Sequence, residues 1–156
     1  MKILKATGED AGELASLGVQ LALFSVSISG FTLKKKVFSR IKAFMKRRFE
    51  KDVFFKAVEK GKIIGYARLS KKKEHALYGD EFLNLSDLVV DEKYQHKGVG
   101  SALIEKSFSY AKAKGFHSMQ ISAYAENKKA LELYKKKGFK PHKITLKKSV
   151  LQTKKN

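Results

Sequence analysis

Residues 88–108 read LVVDEKYQHKGVGSALIEKSF. An apolar run ends at Val90, a short polar loop follows, and Gly98 and Gly100 stand at the start of a helical pattern. Glycines at such a junction let backbone N–H groups approach an anion closely, and the helix N-terminus adds a partial positive charge. The spacing differs from the Walker loop GxxxxGK[ST] and from the dinucleotide fingerprint GxGxxG. The stretch therefore predicts a turn between strand and helix that suits a pyrophosphate.

The segments on either side of this stretch predict one mixed α/β domain in the order β-α-α-β-β-β-α-β-α-β. Thr7 has the character of a helix N-cap, with Asp10 as its capping acid, and Gly30 is expected to end the first helical region. The expected elements are strand 2–6, a helix after Thr7, helix 32–51, strands 53–58 and 63–70 around a turn at 59–62, strand 81–90, helix 98–113, strand 117–125, helix 127–137 and strand 142–150. Residues 1–150 form the domain and 151–156 a polar tail.

Composition and charge limit the kinds of catalytic site and of binding partner that this chain could have. The chain of 156 residues has no cysteine, which excludes disulfides, thiolate metal sites and a cysteine nucleophile. We see no metal-ligand spacing of His, Asp and Glu. The net charge of +19 would attract nucleic acid, an anionic membrane surface or a polyphosphate cofactor, or it reflects a lysine-rich, solvated surface.

The amino terminus indicates a protein that is neither exported nor inserted in a membrane. It begins MKILKATGED, with acidic residues where a signal peptide has its apolar run. The longest apolar stretch, 18–31, is shorter than the roughly 20 apolar residues of a transmembrane helix. We expect a soluble, cytoplasmic protein.

Two blocks of sequence resemble the GNAT superfamily of N-acetyltransferases. The first is Gln95-x-x-Gly98-x-Gly100 after the strand, and the second is Asn127-x-x-Ala130-x-x-Leu133-Tyr134-x-x-x-Gly138-Phe139. The opening KILKATGEDAGELASL also looks like that family's first strand and helix, so the resemblance covers nearly the whole chain. It implies a splayed central sheet that binds acetyl-CoA as co-substrate.

The resemblance implies a role for each residue of the cofactor site. Gln95 braces the loop and meets the CoA phosphates. Leu88, Val89 and Val90 pair through their backbone with the pantetheine arm, and Asn127 bonds it from the other side. The residues whose backbone amides hold the pyrophosphate are His96, Lys97, Gly98, Val99, Gly100 and Ser101.

The resemblance also implies the catalytic groups. Tyr134 acts as general acid toward the leaving CoA thiolate, and a backbone N–H near Leu88 or Val89 polarises the thioester carbonyl. Many relatives place a glutamate as base on the central strand, where this chain has Asn84. Asp87 is our first choice of base, and Glu81, His117 or a chain of water molecules are the alternatives.

The acceptor is a primary amine of a protein or of a small molecule. Four acidic residues near the third and fourth strands would suit a cationic amine or offset neighbouring lysines: Glu74, Asp80, Glu81 and Asp87. The charge favours a protein acceptor attached to RNA over a free polyamine.

We expect the last strand, 142–150, to be abbreviated or to be supplied by a partner in a dimer. The competing hypothesis is a non-catalytic module on the same fold that senses acyl-CoA or binds nucleic acid.

Overall fold

The computed structural model describes residues 1–29, 32–33, 35–74, 79–148 and 150. Within these ranges it forms five strands and four longer helices. The strands are β1 Lys2–Lys5, β2 Val53–Glu59, β3 Lys62–Lys73, β4 Glu81–Val90 and β5 Met119–Ile121. The helices are α1 Ala11–Ser29, α2 Val37–Arg48, α3 Val99–Ala113 and α4 Lys128–Lys136.

One sheet in the order β1-β2-β3-β4-β5 separates two apolar cores. Every neighbouring pair is antiparallel except β4 and β5, which run parallel. One core packs α3 and α4 on the sheet, with Leu103 and Ile104 fully buried among the strand residues. The other packs α1 and α2 on the opposite face through Leu14 and Met45. This arrangement confirms the predicted mixed α/β fold.

An extra residue interrupts the pairing of β4 with β3. Arg68 lies opposite Asp87, whereas the next residue of β3, Leu69, lies opposite Leu85, so Ser86 forms a bulge. Because side chains alternate along a strand, one extra residue exchanges the faces that follow. Before the bulge Leu83 and Leu85 face the α3 side.

After the bulge the alternation is out of phase with the first half of β4. Leu88 and Val90 face the α3 side, and Val89 faces the α1 side. The bulge thereby keeps four apolar side chains of β4 against one core while the strand bends.

Strand β5 accompanies β4 for only a short distance. Its three residues pair with Leu83, Asn84 and Leu85, and the pairing ends at the bulge. We predicted strand 117–125, which is too long because beyond Ile121 the chain leaves β4 and has no ladder partner. Within the described residues, the second half of β4 has no strand paired at the edge that β5 occupies in the first half. We call the space beside this unpaired edge the cleft.

The N-terminal helix follows the prediction at its start. The carboxylate of Asp10 accepts a hydrogen bond from the Thr7 N–H at 2.8 Å. Leu14 and Ala15 are fully buried, as the helical pattern indicates. The expected stop at Gly30 lies outside the described residues.

By length and composition alone, the helical run Gly8–Ser29 could cross a membrane. Its 22 residues exceed the apolar stretch that the sequence indicated. Core helices of soluble proteins pass the same test, and the first half of α1 packs in the core, but only 28% of the apolar window is buried.

Helix α2 is shorter than the predicted helix 32–51. It begins at Val37, after Lys36 in the left-handed conformation with φ of 60°. No side chain caps this end, and the lysine run 34–36 would place cations against the positive end of the helix dipole. Both effects oppose a helix that starts at residue 32.

The predicted last strand, 142–150, is wrong for the part of it that the structure describes. Residues 142–148 and 150 have no strand pairing. Ile144 and Leu146 alternate as in a strand, but they are 79% and 90% exposed. A strand needs a partner edge, and the short β5 leaves these apolar side chains without burial.

The close approach of β3 and β4 at Gly65 yields a test of this packing. A Cβ at Gly65 would lie 2.8 Å from the backbone oxygen of Val89, so Gly65→Ala must push the strands apart. We expect the free energy of unfolding in urea to fall by about 1–3 kcal/mol, the usual cost of overpacking.

Gly12→Ala is the matched control. A Cβ at Gly12 of α1 meets only the end of the Lys42 side chain, at 3.9 Å. Alanine favours a helix over glycine, so stability should rise by up to about 1 kcal/mol. A Gly65→Ala protein as stable as wild type would contradict the strand packing described above.

Candidate active site

Two residues of the loop between β4 and α3 have a left-handed backbone, and only one of them is a glycine. Gly98 occupies the N-cap of α3 in the left-handed conformation, with φ of 80°. His96 is also left-handed, with φ of 61°, which is costly for a residue with a side chain. Two such residues within three positions turn the loop sharply before the helix, where successive N–H groups suit an anion.

Side chains at the start of this loop brace it against the sheet. The amide of Gln95 donates to the Val90 carbonyl at 3.3 Å, so Gln95 connects the loop to the end of the strand. Asp91 is buried and accepts a hydrogen bond from the Lys93 N–H at 3.1 Å. Its other oxygen lies 3.5 Å from the ammonium of Lys62.

Helix α4 lies directly against the first turn of α3. A Cβ at Gly100 would be 3.4 Å from Leu133 and 3.8 Å from Val90, so a glycine fits closely between strand and helix. At Gly98, by contrast, the space in front of a Cβ is open within 4 Å. The open side of the turn can therefore accept a phosphate group, and the packed side fixes α4 next to it.

The backbone of β4 directs two residues into the cleft. Asp91 donates its N–H to the Ile64 carbonyl of β3 at 2.9 Å. In an antiparallel pair the direction alternates, so Val89 also faces β3, while Leu88 and Val90 face the opposite edge. The bond from Gln95 to the Val90 carbonyl agrees with this direction.

That edge fits the extended amide-containing arm of CoA. Beyond Leu85 it borders the cleft, so Leu88 and Val90 can pair with an added strand through their backbone. The sequence alone left the N–H at Leu88 or Val89 open as the donor to the thioester. The alternation favours Leu88.

Asn127 serves as the N-cap of α4. Its side-chain oxygen accepts the Ala130 N–H at 3.2 Å. The side-chain NH₂ of an asparagine is a separate donor. Asn127 can therefore cap the helix and bond a ligand in the cleft at the same time.

Tyr134 lies on α4, next to Leu133, whose side chain contacts Gly100 of the glycine turn. Its ring packs edge-on against Phe139, with centroids 6.0 Å apart. Burial raises the pKa of its phenol to about 12. The hydroxyl thus keeps its proton across the range in which a thiolate would need one.

Asp87, the predicted base, is held in an ion pair. The guanidinium of Arg68 donates from Nε to one carboxylate oxygen at 2.6 Å and from Nη2 to the other at 3.2 Å. Sequence reasoning did not identify Arg68. Arg68 and Asp87 lie 19 residues apart and meet only through strand pairing.

Asn84 belongs to a neutral network on the same face. Its side-chain NH₂ donates to the Ser86 hydroxyl at 2.8 Å, and the Ser86 and Ser70 hydroxyls lie 2.6 Å apart. This face of β4 therefore offers hydroxyl and amide groups around Asn84, the position at which the resemblance implied a carboxylate.

The acidic residues that we grouped near the third and fourth strands are engaged by other side chains. Glu81 pairs with Lys71 at 2.5 Å, and this hydrogen bond holds its pKa below the ordinary value. Glu74 accepts from Gln120 at 3.0 Å and lies 3.3 Å from His142. With Asp87 paired to Arg68, three of the four carboxylates offset neighbouring donors.

The alternatives for the base lie away from the cleft. Glu81 is the first residue of β4 and lies opposite Lys73 in the strand register, at the end of β4 remote from the glycine turn. His117 precedes β5 and lines a shallow cavity beside the C-terminal end of α3. Of the predicted carboxylates, Asp87 is nearest in sequence to Leu88, at the bulge.

Comparison with curated proteins finds two N-acetyltransferases. An uncharacterized N-acetyltransferase of Methanocaldococcus jannaschii is 31% identical over 129 residues, covering 80% of this chain and 56% of that protein. The glucosamine 6-phosphate N-acetyltransferase of Trypanosoma brucei brucei is 30% identical over 82 residues, covering 53% and 54%. The chain thus spans about half the length of the curated relatives that it matches.

Solved structures share the fold over nearly the whole chain. A tetramutant of the BH1408 protein from Bacillus halodurans has a TM-score of 0.83 and 26% identity, covering 96% of this chain and all of that one. A predicted acetyltransferase from Clostridium acetobutylicum, solved with acetyl-CoA, has a TM-score of 0.75 and 16% identity, covering 96% of each chain.

The family comparison agrees with the geometry of the site. The model of the Acetyltransferase (GNAT) family matches residues 26–139, which include the bulged strand, the glycine turn and helix α4. The chain belongs to the GNAT acetyltransferase family.

Proposed function

We propose that the protein is an N-acetyltransferase that moves an acetyl group from acetyl-CoA to a primary amine. One observation carries the proposal: the open backbone edge of β4 leads directly into a glycine turn at a helix N-terminus. An extended arm that ends in a pyrophosphate matches that combination. The solved relative with acetyl-CoA supports this choice of co-substrate.

The residues predicted from the sequence would hold acetyl-CoA with one correction: Val89 faces β3 and does not pair with the pantetheine arm. The amides of 96–101 receive the pyrophosphate, Leu88 and Val90 pair with the pantetheine arm, and Asn127 bonds it from α4. Gln95 acts by bracing the loop. The role of each residue is a proposal that rests on its position around the cleft.

The proposed reaction is a direct attack in a ternary complex. The amine nitrogen bonds to the acetyl carbon, the Leu88 N–H stabilises the charge on the carbonyl oxygen, and the carbon–sulfur bond breaks. Tyr134 gives its proton to the departing sulfur. Asp87, or water in the cleft, takes the proton that the amine loses, so no covalent enzyme intermediate is required.

The acceptor is the least constrained part of the proposal. The Trypanosoma relative is named for an amino sugar phosphate, and the amide of Asn84 and the hydroxyl of Ser86 would suit a hydroxylated amine. The second proposed class of acceptor is a protein lysine or a protein N-terminus, including that of a protein attached to RNA. Dimer formation and a cytoplasmic location also stay predictions. The non-catalytic alternative is not favoured, because both curated relatives are named as N-acetyltransferases.

A direct test screens acceptors with acetyl-CoA as donor and follows release of the CoA thiol. Glucosamine 6-phosphate, spermidine and a peptide with a free N-terminus represent an anionic, a cationic and a protein acceptor. We expect turnover with at least one of them. A protein that binds acetyl-CoA but transfers to none of the three classes would favour the acyl-CoA sensor.

The left-handed glycine of the turn gives a sharper test of the CoA site. Gly98→Ala forces a side chain into the left-handed region, which costs about 1–2 kcal/mol. We expect acetyl-CoA affinity, measured by calorimetry, to fall about tenfold as the turn relaxes.

Gly61→Ala is its matched control. Gly61 also has a positive φ, 76°, and also has open space in front of a Cβ, but it lies in the β2–β3 turn. Both variants should lose similar stability, and only Gly98→Ala should lose affinity. Equal affinities in the two variants would refute the assignment of the pyrophosphate site.

Tyr134→Phe tests the general acid. Removing the phenol should lower kcat by about 10²–10⁴-fold, the usual contribution of a general acid. Because the pKa of Tyr134 is about 12, this acid remains protonated in the wild type as the pH rises past 10. The alkaline limb of kcat should therefore not fall near pH 10, where an ordinary phenol ionises.

The raised pKa of Tyr134 also makes the folding stability depend on pH. The unfolded phenol ionises near pH 10 and the folded one near 12, so stability that is present below about pH 10 is lost as the pH rises through this window. Tyr134→Phe should remove that part of the loss. Tyr110→Phe, on α3 against Phe55, is the control and should retain kcat.

A further inference from the structure

Four side chains of alternating charge run from α2 across the sheet to the bulge of β4. Arg48, at the end of α2, donates to both oxygens of Asp52, at 2.6 and 2.5 Å. Asp52 also accepts from Nη1 of Arg68 at 2.9 Å. Arg68 in turn holds both oxygens of Asp87. We refer to these four residues as the ion chain.

The ion chain is buried where it meets the sheet. The side chain of Asp52 is 1% exposed, and those of Arg68 and Asp87 are 12% and 17% exposed. Burial alone would lower the pKa of the Arg68 guanidinium, but the hydrogen bonds and charges of Asp87 and Asp52 raise it above its ordinary value. The ring of Phe44 lies 5.2 Å from the guanidinium and covers it.

The position of Asp87 gives this pairing a consequence for the cleft. Asp87 is the residue after the bulge and directly precedes Leu88, whose N–H faces the cleft. A bulge breaks the ladder locally, so hydrogen bonds of the backbone alone hold it less firmly than a regular strand. A side-chain clamp on Asp87 fixes where the second half of β4 begins.

We infer that Arg68 is a positioning residue that locks the bulge of β4 through Asp87 and thereby aims the Leu88 N–H at the thioester carbonyl. The role toward the thioester rests on the proposed acetyl transfer. The lock itself is a property of the fold and can be tested without acetyl-CoA.

A lysine could not replace this arginine. The guanidinium presents several N–H donors in one rigid plane, and Arg68 uses three of its nitrogens on two different carboxylates. An ammonium is a point charge on a flexible stem. Arg68→Lys therefore keeps the charge and removes the geometry, and it is the informative variant.

The first measurement is amide hydrogen exchange by NMR on the ligand-free protein. Val89 faces β3 just after the bulge, and Leu83 bonds to Ser118 of the segment before β5 at 3.1 Å, before the bulge. In Arg68→Lys we expect exchange at Val89 to become at least tenfold faster, while exchange at Leu83 stays within twofold.

The matched control is Lys56→Gln, which removes another half-buried ion pair on the same face. Lys56 of β2 lies 2.7 Å from Asp10 and is 19% exposed. It should lose stability without a selective change at Val89. A uniform acceleration in Arg68→Lys, equal to that in Lys56→Gln, would show a merely structural role and overturn the inference.

The second measurement compares calorimetric affinities for acetyl-CoA and for CoA. One hydrogen bond to the thioester carbonyl should make wild type prefer acetyl-CoA by about fivefold. Arg68→Lys should lose this preference. Its affinity for CoA should fall less than its affinity for acetyl-CoA, because the glycine turn still binds the pyrophosphate, so the ratio of the two affinities is the readout. A preference that survives in Arg68→Lys would contradict the positioning of Leu88.

These outcomes separate the inference from the proposed function. A wild type that binds neither compound would refute the acetyl-CoA site, and the exchange rate at Val89 would still decide whether Arg68 locks the bulge. A wild type that binds both equally would contradict a thioester contact at Leu88. If Arg68→Lys fails to fold, Asp87→Asn removes part of the same clamp and should show the same selective exchange at Val89.

Discussion

The structure depends on one extra residue in one strand. A regular strand in place of β4 would turn Leu88 and Val90 away from the core that buries Leu83 and Leu85, because side chains alternate strictly along a strand. The bulge at Ser86 restores their burial after the strand has bent. Pairing with β5 ends at the bulge, and the unpaired edge of β4 beyond it borders the cleft. Burial of four apolar side chains and opening of a ligand site are thus satisfied by the same distortion.

Helices α4 and α2 are connected to β4 by different kinds of contact. Helix α4 is set by apolar packing of Leu133 on Gly100, which leaves its N-cap Asn127 and Tyr134 beside the turn. Helix α2 packs on the opposite face through Met45, and it also reaches β4 by charge, through Arg48 and Asp52. Apolar contacts tolerate small shifts, whereas a forked hydrogen bond weakens steeply when its geometry changes. The charged contact at the bulge therefore depends more strictly on geometry than the apolar contact at the turn.

The glycine turn could be predicted from local sequence because its requirements are local. Gly98 needs a left-handed backbone and Asn127 begins a helix, and both lie within a few residues of the features that they control. The bulge left a weaker trace in the spacing of Leu83, Leu85, Leu88 and Val90, where a step of three interrupts steps of two. That signal could have been found. The pairing of Arg68 with Asp87 could not, because only the register of two strands brings them together.

The last strand shows the opposite failure. Ile144 and Leu146 alternate with polar residues, and local pattern alone predicts a strand. Pairing is a non-local condition, and the three-residue β5 does not provide an edge of sufficient length. A similar argument applies to the start of α2, where three lysines interrupt a good apolar stripe at the end of the helix least suited to cations.

The ion chain contains two arginines and two aspartates, so its own charge is zero and the whole excess of +19 is carried by the rest of the molecule. Like charges spread over a compact surface repel one another and weaken the folded state, and dissolved salt screens them over about 10 Å at 0.1 M. Buried pairs are screened much less. Added salt therefore has different effects at the surface and in the interior. At the surface it weakens the repulsion between lysines and their attraction for polyanions. In the interior it affects the clamp on the bulge much less.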